Sequence, residues 1–164
     1  MGGFRLFVFG AMLGLVQGSL EKTWGFSGPA PDLLLVYLVW LGLNSRTPTG
    51  LWVAFVGGML QDSVSEMDLI GLHALARIVI AYLPEWARLV MVTETRFSGV
   101  LLVIAATLLQ SMIVLSILQT LSTQNLWDIT VLYSWGYSFI LNSALWLILG
   151  FLFFSKDRPE FSMT

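Results

Sequence analysis

The sequence predicts an all-α polytopic membrane protein of six transmembrane helices. Two observations carry this. Only 11% of residues are charged against 57% hydrophobic, with a mean hydropathy of +0.82, whereas a soluble domain uses about 25% charged residues to coat its surface. The apolar residues also fall into runs separated by short polar or turn-forming stretches, and 164 residues hold about six spans of roughly 20 residues each. The chain therefore reads as one integral membrane domain over residues 1–164.

The first span runs from about Phe4 to Leu20. A secretory leader would have similar length, but the basic flank is only Arg5 and no small-x-small cleavage site precedes Lys22, so the segment is kept as a span. The turn formers Gly25 to Pro31 follow, then a shorter apolar run, Leu33 to Leu43, closed by Asn44, Ser45, Arg46 and Pro48. The third span, Gly50 to Leu60, ends at Gln61 and Asp62. The fourth begins near Leu69 and is expected to stop before Pro84, because proline lacks the N–H that continues a helix. Glu85 to Val92 then reads as a short interfacial helix, either lying on the membrane or docking a cytoplasmic partner. Phe97 to Leu121 and Ile129 to Phe154 complete the set. Spans 2 and 3 are short, about 21–24 Å at helical rise even with their flanks. They either cross a thinned region or form a re-entrant hairpin, and the topology downstream is the same in both cases.

Lys and Arg set the orientation. With a cytoplasmic N-terminus, the inner side receives Arg5, Arg46, Arg88, Arg96, Lys156 and Arg158, and the outer side only Lys22. The outer loops are acidic instead, with Asp62, Glu66, Asp68 and Asp128. Both termini are therefore expected in the cytoplasm. Trp127, Tyr133, Trp135 and Tyr137 fit an aromatic belt at the outer interface.

Two kinds of residue stand out within the spans. Gly10, Gly14 and Gly18 recur at every fourth position, as do Gly50, Ala54 and Gly58, with Asp62 next on that face. Small residues let helix backbones approach in lipid, so each stripe packs against another span of the chain or against a partner's helix. Asp62 either caps the following loop or anchors an extracytoplasmic partner. The second kind is polar. His73, the single histidine, and Arg77 share a face of span 4, and an intramembrane arginine is costly enough to suggest function by default. Gln110 and Ser111 in span 5, and Asn142 and Ser143 in span 6, fall at similar depth. These residues are expected to form a hydrogen-bonded core that fixes the packing of spans 4 to 6. A ligand or ion site is the competing reading, and it is disfavoured because no acidic residue is expected at matching depth.

Several functions find no support. There is no HExxH, no pair of aspartates within spans and no serine paired with a facing histidine or lysine, so the chain is read as non-enzymatic. One histidine and no cysteine leave no usual metal cluster, and no cofactor is expected. Eight scattered Lys and Arg form no basic patch for nucleic acid.

The order of features resembles the rod shape-determining protein MreD family. The carrying residues are Pro31 and Asp32 at the start of an apolar span, Gly57 and Gly58 in a span ending at Asp62, and Gly71-Leu72-His73-Ala74 after a short loop. The motif covers about Pro31 to Ala76, and length and span order agree over the whole chain. Glu66-Met67-Asp68 departs from the family's small, glycine-rich loop, so the fine detail of that loop is not carried over. The resemblance implies a non-enzymatic subunit of the bacterial elongation machinery in the cell inner membrane. It implies association with an MreC-like single-pass protein, and through it links to MreB, to RodA and to RodA's transpeptidase partner, in lateral peptidoglycan synthesis. The six-span arrangement is also similar to the substrate-binding subunits of energy-coupling-factor transporters, and a vitamin-type binding subunit is the alternative function. Short outer loops, with few groups to enclose a hydrophilic ligand, favour the scaffold.

Overall fold

A computed structural model of the chain describes residues 3–24, 30–44, 49–65, 69–90, 96–121 and 129–153. These form six helices: α1 (Gly3–Trp24), α2 (Leu33–Asn44), α3 (Thr49–Val64), α4 (Leu72–Val90), α5 (Arg96–Leu121) and α6 (Ile129–Phe153). The expected positions Arg46, Glu66, Met67, Asp68, Val92, Trp127, Asp128, Lys156 and Arg158 lie outside the described residues, as does most of the Gly25 to Pro31 turn. By length and composition, Gly3–Thr23 of α1 and Phe97–Leu121 of α5 can each cross a membrane, and α6 holds the shorter apolar stretch Trp135–Leu149.

The shortest helix is the centre of the bundle. α2 has 12 residues, about 18 Å at helical rise, and it touches all five other helices. Leu34, Leu35, Val36, Tyr37, Leu38, Val39 and Leu41 are all buried, so it is apolar on every side, as a helix wrapped by protein should be. On one flank Leu35, Val36 and Val39 meet Ile80, Leu102, Val103 and Trp146 of α4, α5 and α6. On the other, Leu34, Tyr37, Leu38 and Leu41 pack on Val53 and Ala54 of α3, with Leu6, Phe7 and Leu13 of α1 behind them.

Outside, the bundle is apolar. Phe4, Phe9 and Met12 on α1, Leu108 and Met112 on α5, and Ile140, Leu147 and Ile148 on α6 are exposed, while Arg77, Gln61, Asn142 and Asp62 are at most 1% exposed. Apolar outside and polar inside is the arrangement a hydrocarbon surround favours.

Span 4 departs from expectation. No break occurs at Pro84, and α4 runs through it to Val90, so the separate interfacial helix is instead the last turns of α4. The ring of Pro84 fills the space left by Gly42, where a β-carbon would sit 2.6 Å from its Cγ. One turn on, Arg88 Nη2 donates to the carbonyls of Gly42 and Leu43, at 2.7 and 2.5 Å. These are carbonyls that the end of α2 leaves without intrahelical partners. Packing of Pro84 and the Arg88 cap thus hold the helix past its proline. At its other end α4 starts at Leu72, three residues later than expected, after a turn in which Gly71 takes φ of 99°, a conformation open to glycine.

Candidate functional site

The interior holds a polar network to which every helix contributes. Its hub is Asp32, immediately before α2. Its Oδ1 accepts from the backbone N–H of Leu35 at 2.9 Å, the standard N-cap bond, and from Arg77 Nη2 of α4 at 2.8 Å. Its Oδ2 accepts from Gln110 Nε2 of α5 at 2.8 Å. Its own N–H donates to Asn142 Oδ1 of α6 at 2.6 Å, and Asn142 Nδ2 passes on to Thr107 Oγ1 of α5 at 3.0 Å. The next donor, Leu33 N–H, is satisfied by Gln17 Oε1 of α1 at 3.0 Å. One helix start is thus pinned by four neighbours.

Arg77 carries the network to α3 and α1. Its Nη2 also donates to Gln61 Oε1 at 2.8 Å, and Gln61 Nε2 donates to Glu21 Oε1 at 2.6 Å. Beside this lies a second contact, with His73 Nδ1 2.6 Å from Asp62 Oδ1. An ionised carboxylate only accepts, so Nδ1 carries the proton toward it. Asp62 accepts as well from the backbone N–H of Gly71 at 2.8 Å and of His73 at 3.2 Å. It therefore caps the start of α4 from the neighbouring α3, where the helix dipole favours negative charge. His73 Nε2 stands 4.0 Å from Glu21 Oε1, so the two pairs share one neighbourhood.

Of the residues expected in a polar core, His73, Arg77, Gln110 and Asn142 come together here. One premise of that expectation is overturned, because a carboxylate does lie at the depth of Arg77. Asp32 bonds to Gln110 and Asn142, midway along α5 and α6, so the start of α2 lies level with the middle of those two helices. Gln17, Glu21, Gln61 and Thr107 also belong to the network, and sequence reasoning missed them. The signal for Asp32 was its place directly before an apolar run, the pattern of an N-cap. Among the described residues, no group of three His, Asp or Glu is placed to hold a metal ion.

The small-residue stripes lie inside the bundle. A β-carbon on Gly14 would collide with the backbone of Gly57, and one on Gly18 would sit 2.6 Å from the carbonyl of Gln61. Gly10 faces Val53 and Tyr37. The α1 stripe is therefore filled by α3. On α3 itself, Gly58 abuts the backbone of Ala74 in α4, Ala54 is fully buried, and Gly50 is loose, with Leu41 Cδ2 at 4.0 Å. The close approach of α1, α3 and α4 places Gln61, Asp62, Glu21 and His73 within reach of one another.

The family model described as rod shape-determining protein MreD matches residues 3–156, a stretch that takes in all six helices. No match is found among curated proteins or solved structures.

Proposed function

Because the chain belongs to the rod shape-determining protein MreD family, and so is a membrane protein of cell-shape determination, we propose that it acts there as a non-enzymatic scaffold. In this reading it sits in the bacterial inner membrane as a multi-pass protein with both termini cytoplasmic. It binds an MreC-like single-pass partner and through it helps to localise or regulate lateral peptidoglycan synthesis by RodA and its transpeptidase partner, in register with MreB.

One observation supports this reading above the rest: Asp32 and Arg77 turn the intramembrane charge inward and tie α2 to α4, α5 and α6. A bundle braced in this way presents its neighbours with fixed, apolar helix sides, the kind of surface on which transmembrane helices pack. The vitamin-binding alternative rests only on an expected similarity of span arrangement, and even a shared fold would carry no function across.

Co-purification tests the proposal. The tagged chain, expressed with the single-pass partner and extracted in mild detergent, is expected to retain it in fixed ratio. Cells lacking the chain are expected to lose rod shape and regain it with the wild-type gene. A folded chain that restores shape yet never captures the partner would sink the scaffold reading while leaving the family assignment intact.

A further inference from the structure

Arg77 uses one of its three guanidinium nitrogens. Nη2 gives its two protons to Asp32 and Gln61, whereas Nε and Nη1 have no hydrogen-bond partner although the residue is 0% exposed. Two acceptors share this condition, Oε1 of Gln110 and Oε2 of Glu21. All belong to the same network: Gln110 binds the carboxylate that pairs with Arg77, and Glu21 binds the Gln61 amide that Arg77 also holds. Buried polar atoms in native proteins are nearly always paired, and a donor on a cation is among the costliest to leave unpaired.

We propose that Arg77, Gln110 and Glu21 form a binding site for a neutral hydroxyl guest. Charge decides the class. Around Arg77 of α4 stand the carboxyl groups of Asp32 before α2 and Glu21 of α1, with Asp62 of α3 bonded to His73. An anion reaching Arg77 meets these carboxyl groups, and a cation reaching them meets the unpaired donors of Arg77; both are penalised where charges are poorly solvated. A hydroxyl accepts from the guanidinium and donates to Gln110 Oε1 or Glu21 Oε2, so it matches both halves of the set. Water is one source, since ordered water typically makes about three bonds to such groups. The hydroxyl of a small sugar or polyol is the other. Glu21, with 15% of its side chain exposed, lies in the last turns of α1 and marks where the guest exchanges. The site does not depend on the scaffold reading.

The test uses the purified full chain alone in lipid nanodiscs. With isotope-labelled arginine, the Nε–H and Nη1–H protons of Arg77 are expected to show magnetisation transfer to a bound hydroxyl. A transfer to water with native mass spectrometry giving the bare chain mass identifies water. A transfer that accompanies added organic mass identifies a polyol or sugar. The Arg77 signals are those lost in Arg77→Lys, or, should that variant not fold, those in through-space contact with labelled Asp32. Arg77 protons that touch no hydroxyl would overturn the proposal, as would loss of the transfer on adding inorganic phosphate or sodium ions, which would make the guest an ion.

Discussion

Asp32 carries three loads on one carboxylate: it caps α2, pairs with Arg77 and holds Gln110. A buried pair of this kind gains little over an apolar pair of equal volume, yet removing one partner strands the other charge. Arg77→Met is therefore expected to destabilise the protein by about 3–5 kcal/mol, measured by unfolding in mild detergent. The double variant Asp32→Leu with Arg77→Met is expected to recover part of that loss, and a double variant whose loss equals the sum of the singles would show that the two groups do not interact. Asp62→Ala removes the cap on α4 and is expected to cost about 2 kcal/mol. An unchanged stability would mean that water caps α4 equally well. His73, Arg77, Gln110 and Asn142 were legible because polar groups inside apolar runs are conspicuous. Asp32 and Glu21 were not, since depth was counted from span ends and both sit at ends. Only the folded bundle shows Asp32 level with the middle of α5 and α6 and Glu21 bonded to Gln61.

At the scale of elements, the bundle is divided into seams of different tightness. α1 meets α3 at Gly14 and Gly57, backbone on backbone, and α3 meets α4 at Gly58 and Ala74. An added methyl has nowhere to go in either seam. Gly14→Ala and Gly58→Ala are each expected to cost about 1–3 kcal/mol. Gly50→Ala, with open space beside it, is expected to stay within about 1 kcal/mol of the parent. Unfolding curves of the three variants check the ordering, and equal loss at all three positions would refute the seams. The recurrence of small residues every fourth position was enough to mark both stripes in the sequence. Which helix fills each stripe was not readable, because spacing gives a face and not its neighbour. Pro84 shows the opposite failure: the local rule ends a helix there, and packing on Gly42 with the Arg88 cap on α2 outweighs it.

For the molecule as a whole, orientation is the first matter to test. The chain has no cysteine, so single introduced thiols report cleanly. Ser27→Cys is expected to react with an impermeant maleimide from the periplasmic side of intact cells, and Thr47→Cys only after the inner membrane is opened. Reversed labelling would place the N-terminus outside. In the proposed scaffold, a braced bundle serves cell shape through its outer sides. Site-specific photocrosslinking in living cells tests it most directly, with the probe placed in turn at exposed Phe9, Met12, Trp52, Met112, Ile140 and Leu147 and at buried Val36 and Val103. Crosslinks to the MreC-like partner are expected from a contiguous set of exposed positions, and none from the buried pair. A folded, shape-restoring chain that crosslinks to no partner from any exposed position would contradict it.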